Sequence, residues 1–233
     1  MAAAGSPLDL PRPIIQLAID EFDMESALTV AASGVRAGVD WLEIGTPLLE
    51  RCGLAAARAL TAAFPGHPVL VDFKAMDGGG RCVRWAHEAG ARLATVCAGA
   101  SDATVASAVA VGCELGLLVV VDTIGVADQA GRSREVEALG ASMIYLHYGA
   151  DQRARDGGSR VLEWLGPVQA ATRLPVGVAT FDVSDAVAAA QRGVDVCVIG
   201  KPVAVPGPDG AERLARYCSA VRAAYRPAGP RGA

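Results

Sequence analysis

The sequence predicts an α/β protein built as a single (β/α)8 barrel, or TIM barrel. Eight short apolar runs alternate with alanine-rich stretches of helical periodicity, at a spacing of roughly 25 residues. Gly38, Gly90, Gly140 and Gly193 stand where a predicted helix turns into the next strand, as C-terminal caps do. Charged side chains stand at the ends of several apolar runs, and a barrel gathers these strand ends on one face.

The strands are predicted from runs of four to six mainly apolar residues. Such uninterrupted runs are typical of parallel strands that are buried on both faces. In chain order, the predicted strands cover residues 14–19, 41–44, 69–73, 93–97, 117–121, 143–146, 175–178 and 196–199.

The helices are predicted from alanine-rich periodicity and from capping residues such as Asp23 and Ser101. In chain order, they cover residues 23–36, 53–64, 79–88, 101–115, 127–139, 159–171, 184–191 and 209–225. We therefore expect one barrel domain over residues 14–226. Residues 1–13 and 227–233 fall outside the pattern, and we expect them to be a flexible leader and a flexible tail.

The composition of the 233 residues excludes several function classes. A net charge of −4 and the lack of a basic run argue against nucleic acid or an acidic membrane as a partner. No apolar run is long enough to span a bilayer. The six cysteines include no Cys-x-x-Cys pair and lie mostly in apolar runs, so we expect reduced thiols and a cytoplasmic protein.

The segment that carries the third predicted strand contains the most informative residues. Of the 21 basic residues only Lys74 and Lys201 are lysines, and each follows an apolar strand. Asp72 and Asp77 flank Lys74. Because side chains alternate along a strand, Asp72 and Lys74 should face the same side. We interpret them as catalytic; a purely structural ion pair is the alternative.

Other polar residues end neighbouring strands: Asp20, Glu43, Asp122 and His147. Buried acids need compensating charge, and two of them with water and a substrate oxygen would suit Mg²⁺. His147 is suited to proton transfer, although a lone histidine is more often structural. The alternative for the whole set is a salt-bridge network that holds the barrel mouth.

A phosphate site is expected beside strands seven and eight, where barrels often bind phosphate. Gly200 and Lys201 can offer backbone N–H groups and a cation. We assign Gly177 and Thr180, near strand seven, to substrate binding as well.

Several segments of the sequence resemble those of a known family. Segments 17–20 (LAID), 42–47 (LEIGTP) and 71–77 (VDFKAMD) look like signature blocks of the 3-hexulose-6-phosphate synthase family. That family belongs to the orotidine-5′-phosphate decarboxylase superfamily, whose motif is Asp-x-Lys-x-x-Asp. Segments 95–104, 121–124 and 147–151 extend the similarity over nearly the whole chain after Pro13.

The resemblance implies a ribulose-phosphate-binding barrel and an Mg²⁺-dependent aldolase. In that reaction ribulose 5-phosphate forms a metal-bound enediolate, which adds to formaldehyde to give 3-hexulose 6-phosphate. By position, Glu43 and Asp72 would hold Mg²⁺, Lys74 would face the enediolate and His147 would move protons. Asp20 would contact the sugar hydroxyls. Asp77 would reach the partner's site in a homodimer with shared active sites.

The chain departs from the family pattern around the phosphate site. Residues 178–179 are Val-Ala where the family usually has Gly-Gly, and Lys201 replaces a frequent arginine. Tyr148 replaces a threonine, and Ala150 stands where related decarboxylases of 3-keto-L-gulonate 6-phosphate have arginine. Two alternatives stay open: a related enediolate lyase or decarboxylase acting on another phosphosugar, and a non-catalytic sugar-phosphate-binding barrel.

Overall fold

The computed structural model describes residues 6–229 and 231. Within these residues eight parallel strands form a closed barrel in chain order, with β8 paired to β1. This confirms the predicted fold class. The strands are β1 (Ile14–Ile19), β2 (Trp41–Ile44), β3 (Val69–Ala75), β4 (Leu93–Cys97), β5 (Leu118–Asp122), β6 (Met143–Leu146), β7 (Val176–Thr180) and β8 (Val196–Ile199).

Helices follow each strand, as the alternating pattern requires. They are α1 (Met24–Ala37), α2 (Thr46–Cys52), α3 (Leu54–Ala63), α4 (Gly79–Glu88), α5 (Asp102–Leu115), α6 (Gln129–Ala138), α7 (Ala150–Asp156), α8 (Val161–Ala171), α9 (Val183–Gln191) and α10 (Pro208–Ala224). The short helices α2 and α7 were not predicted. Pro47 lies in the first turn of α2, where its missing N–H costs nothing, and Gly157 ends α7 in the left-handed conformation.

The apolar core has two layers. Inward-facing residues such as Ile14, Trp41 and Leu70 fill the barrel itself. A larger cluster lies between the strands and the surrounding helices. Because the barrel interior is packed with side chains, the polar residues at the upper ends of the strands stand on a closed apolar floor.

The described parts of both tails are packed, which corrects the expectation that they are loose. Leu8 and Leu10 pack against the inner core at the lower end of the barrel. Asp195 pairs with Arg12 at 3.3 Å and with Arg231 at 2.5 Å. One buried carboxylate before β8 therefore holds the two ends of the chain together; residues 1–5, 230 and 232–233 lie outside the described residues.

Among the described residues no helix combines the length and the apolar character needed to cross a membrane.

Candidate active site

A cavity of about 560 Å³ opens at the carboxyl ends of the strands. Its walls bring together most of the predicted site residues, together with several that were not predicted. The predicted residues that line it are Asp20, Glu43, Asp72, Lys74, His147, Thr180, Gly200 and Lys201. The cavity therefore lies at the face of the barrel where active sites of this fold are found.

The backbone of β3 is irregular at Lys74. The pairing between β3 and β4 shifts between Val71 and Ala75, and Lys74 has a positive φ of 45°. A non-glycine residue rarely adopts this conformation, which costs free energy unless the surroundings enforce it. Here the Lys74 N–H donates to the Thr95 hydroxyl at 2.8 Å. The bulge thus aims Lys74 into the cavity while Asp72 stays buried in the same wall.

Asp72 and Lys74 form a direct ion pair. The remaining positions of the Asp72 carboxylate are filled by the hydroxyls of Thr46 at 2.8 Å and Thr95 at 2.9 Å. Lys74 also donates to the Thr46 hydroxyl at 3.0 Å. A buried carboxylate that accepts a cation and two hydroxyls is well satisfied, so its geometry is fixed.

The charge of Lys74 is determined by opposing effects. Burial acts to lower the pKa of Lys74, but attraction to Asp72, Asp122 and Glu43 outweighs burial and raises the pKa above its ordinary value. The side chain is therefore an ammonium ion at neutral pH. An ammonium ion stabilises negative charge on a neighbouring oxygen, whereas a lysine that attacks a carbonyl has to be neutral.

Glu43 and Asp20 add two more carboxyl groups to the same wall. Glu43 is 3% exposed and accepts a hydrogen bond of 2.6 Å from the Gln16 amide. Burial, and next the charge of Asp72, raise the pKa of Glu43 well above its usual range. The same two causes raise the pKa of Asp20. Asp20 fits between Gly45 and Gly200, because a Cβ on either glycine would meet its carboxylate.

These carboxylates fit a divalent cation. Glu43 and Asp72 are acidic oxygen donors, and burial together with the charge of Asp72 disfavours a further negative charge on Glu43, which a cation would offset. No group of three or more His, Cys, Asp and Glu side chains in the described structure is arranged to hold a metal. Two carboxylates could hold Mg²⁺ only with further oxygens from water or substrate, which is how Mg²⁺ is often bound.

His147 is held by an acid from the neighbouring strand. Its Nδ1 lies 2.9 Å from Oδ2 of Asp122, which is fully buried. The other oxygen of Asp122 accepts the Ile124 N–H at 2.8 Å. The His147 ring also stacks on Tyr145, with centroids 5.8 Å apart. Because Nδ1 faces Asp122, Nε2 is the ring atom left to exchange a proton with a ligand.

Lys201 lies just after β8, next to the end of β1, and is already paired. Its ammonium group lies 3.2 Å from Glu21 and donates to the backbone carbonyl of Asp20 at 3.0 Å. It also lies 5.0 Å from the centre of the Phe22 ring. The predicted phosphate cation is therefore in the cavity, but an acid shares its charge.

Two substrate assignments need correction. Gly177 lies inside β7 and does not line the cavity. A Cβ at this position would lie 2.5 Å from the Met143 side chain, so the glycine leaves room for Met143. Thr180 is the last residue of β7 and lines the cavity, but its hydroxyl is engaged elsewhere. Its hydroxyl donates to the Val198 carbonyl at 2.8 Å and meets the Tyr217 hydroxyl at 2.7 Å. The Thr180 hydroxyl is thus occupied by structural contacts.

Asp77 is not brought into the cavity. It lies just beyond β3, exposed, and next to Met76, which is 59% exposed. Within one chain Asp77 therefore has no catalytic contact, and its predicted role across an interface stays a prediction.

Sequence reasoning missed Thr46, Tyr145, Arg153 and Phe181, all of which line the cavity. Thr46 stands in the LEIGTP block, so the sequence could have indicated that it belongs to the site. Arg153 gave none, because it is one of many arginines and lies on the unpredicted helix α7.

The barrel and this site define the class of protein. Ionisable side chains converge on a closed apolar floor at the catalytic end of a (β/α)8 barrel, which is the arrangement of a barrel enzyme. Over residues 13–212 the chain matches the Orotidine 5′-phosphate decarboxylase / HUMPS family, and it belongs to that family.

Several relatives carry the name 3-hexulose-6-phosphate synthase. The 3-hexulose-6-phosphate synthase of Mycobacterium gastri is 39% identical over 187 residues, which are 80% of this chain and 89% of that protein. A crystal structure of a 3-hexulose-6-phosphate synthase matches with a TM-score of 0.80 and 35% identity, covering 91% of this chain and 99% of that one. The enzyme of the same name from Salmonella typhimurium gives a TM-score of 0.84 and 30% identity at the same coverage.

The buried charge of Glu43 leads to a prediction about stability. At neutral pH, Glu43→Gln should raise the melting temperature, because it removes a carboxyl group whose ionisation is opposed by burial and by the charge of Asp72. A gain of about 1 kcal/mol corresponds to roughly 2–4 °C for a chain of this size. Thermal melts followed by circular dichroism at several pH values measure the effect.

The difference in melting temperature between Glu43→Gln and the wild type should depend on pH. A raised pKa in the folded state makes ionised Glu43 a burden at pH values above the ordinary glutamate pKa of 4.5, so the two melting temperatures should converge as the pH falls below it. Glu50→Gln, which removes an exposed acid from α2, serves as the control and should change little. A Glu43→Gln protein that melts below the wild type at pH 7 would contradict this account.

Proposed function

We propose that this protein is an aldolase that adds formaldehyde to ribulose 5-phosphate and forms 3-hexulose 6-phosphate, with Mg²⁺ as cofactor. The relatives of that name support the substrates. The observation that carries the chemistry is the protonated Lys74 paired with Asp72 at the wall of the cavity, with His147 at the same mouth.

The residues have distinct roles in this reaction. His147 takes the C1 proton of ribulose 5-phosphate on Nε2, and the ammonium group of Lys74 faces the negative charge that develops on the substrate oxygen. C1 then forms a carbon–carbon bond with formaldehyde. The formaldehyde oxygen, now negative, receives the proton from His147, so protons and charge balance. Asp122 holds the His147 ring in place throughout.

Glu43 and Asp72 would hold the metal, and Mg²⁺ when bound supplies positive charge beside the two adjacent substrate oxygens. Asp20, whose pKa is raised by burial and next by the charge of Asp72, would contact the sugar hydroxyls. Gly200 and Lys201 would contribute to phosphate binding at the mouth of the barrel.

We also propose a cytoplasmic homodimer. The six cysteines are free, which suits a reducing compartment. Met76 is 59% exposed and Trp85, on the following helix α4, is 42% exposed. Apolar side chains beside the exposed Asp77 suit a surface that a second copy covers, with Asp77 directed toward the partner's cavity.

The function is tested by assaying ribulose 5-phosphate consumption with the purified protein. We expect consumption only when formaldehyde is present, its loss on treatment with EDTA, and its return on adding Mg²⁺. Glycolaldehyde in place of formaldehyde tests the choice of aldehyde. No consumption under any condition would reject the aldolase, and turnover that EDTA leaves unchanged would reject the metal.

Lys74 should act through its charge and not as a covalent nucleophile. Sodium borohydride added during turnover should trap no adduct on Lys74, because the raised pKa of Lys74 keeps the amine protonated. Peptide mass spectrometry measures this. Arg replaces the charge without an amine nucleophile, so Lys74→Arg should keep more activity than Lys74→Met. A reduced substrate adduct on Lys74 would overturn the assignment.

Shared sites in the dimer can be tested by complementation. Asp72→Asn and Asp77→Asn should each be inactive alone, yet mixing them with subunit exchange should restore part of the activity. A heterodimer assembles one site that has both acids. If exchange is demonstrated by mass spectrometry and no activity returns, Asp77 does not serve the partner's site.

A further inference from the structure

Arg153 is a cation of the cavity wall that has no assigned role. It lies on the short helix α7, between β6 and α8, and lines the same cavity as Lys74 and Lys201. Its guanidinium group lies over the ring of Phe181, 4.0 Å from the ring centroid. Phe181 directly follows β7. The Phe181 ring therefore positions the guanidinium group of Arg153 beside the end of β7, where barrels often bind phosphate.

The polar contacts of Arg153 are incomplete. Its Nε is buried and lacks a hydrogen-bond partner within the described structure. The charge of Arg153 acts to lower the pKa values of Asp182 and Asp185, yet neither acid forms an ion pair of 4.0 Å or less with it in the described part of the chain. Asp182 is engaged as the cap of α9, accepting from Ser184 and from the Asp185 N–H. A buried guanidinium N–H without an acceptor costs free energy that a bound anion would recover.

The other cations of the cavity are committed to acids. Lys74 pairs with Asp72. Lys201 pairs with Glu21 and donates to the Asp20 carbonyl. A phosphate ester carries up to two negative charges, and a site for it needs positive charge that no protein acid already neutralises. Among the lysines and arginines that line the cavity, Arg153 best meets this condition.

We propose that Arg153 is the main phosphate-binding side chain of the cavity, with Phe181 as the platform that orients it. The inference rests on the proposed function only in taking the substrate to be a phosphosugar. A planar guanidinium matches two phosphate oxygens at once, which a lysine ammonium cannot do. Lys201 then contributes a second, weaker contact from the β8 side.

Calorimetric titration tests the proposal without turnover. Ribulose 5-phosphate, ribulose and inorganic phosphate are titrated into the wild type, Arg153→Met and Arg153→Lys. We expect Arg153→Met to weaken ribulose 5-phosphate and phosphate binding roughly ten- to a hundredfold, the range for lost charge-assisted hydrogen bonds. Binding of ribulose should be unchanged, and Arg153→Lys should fall in between.

The chain offers a matched control on the same helix. Arg155 lies two residues further on α7, and its side chain is 73% exposed and paired with Asp156. Arg155→Met removes the same charge from the same helix outside the cavity, so it should bind all three ligands as the wild type does. Thermal melts of each variant establish that it is folded before titration.

The outcomes separate the possibilities. Unchanged phosphate-ester binding in folded Arg153→Met overturns the proposal, as does an equal loss for ribulose, which would mean that Arg153 only shapes the wall. A wild type that binds neither ribulose 5-phosphate nor inorganic phosphate also overturns it. A wild type that binds both in an Arg153-dependent way supports the proposal. If that wild type nonetheless consumes no ribulose 5-phosphate with formaldehyde, the aldolase function alone fails.

Discussion

The ion pair between Asp72 and Lys74 is the interaction on which the site depends. Burying a carboxylate at 2% exposure is costly, and the structure offsets the cost with one cation and two threonine hydroxyls. The bulge in β3 and the positive φ of Lys74 are conditions of that pairing, since they bring the ammonium group and its acceptors to the same point. The strained backbone at Lys74 is thus explained by the position that it gives to the ammonium group in the site.

Acids and cations line the cavity as neighbours: Lys74 pairs with Asp72, and Lys201 contacts Glu21 and the Asp20 carbonyl. Asp20, Glu43 and Asp72 crowd the wall formed by β1 to β3, where burial and mutual repulsion raise the pKa values of Glu43 and Asp20. Arg153 and Lys201 lie toward the side formed by α7 and β8. A phosphosugar would find acids for its hydroxyls and cations for its phosphate in this one cavity, and a metal cation held by the acids would offset their charge.

The fold was predictable because each strand is a short apolar run and each helix has a clear beginning or end. The position of the site followed from the polar residues at strand ends, and alternation along β3 correctly placed Asp72 and Lys74 on one side. The bulge was not predictable, since it depends on Thr95 in the next strand. Gly177 was misassigned because the sequence does not show that its position in β7 faces Met143 below the cavity. Arg153 reaches the cavity only through tertiary contact with Phe181.

The central claim is that the charge of Lys74 stabilises an enediolate formed when His147 removes a substrate proton. Proton exchange measures this most directly: ribulose 5-phosphate is incubated with the enzyme in deuterium oxide without formaldehyde, and the C1 hydrogens are followed by NMR. The account predicts deuterium at C1 with the wild type and its loss with folded His147→Ala or Lys74→Met. Exchange that persists in Lys74→Met, or product formation without exchange in the wild type, would contradict it.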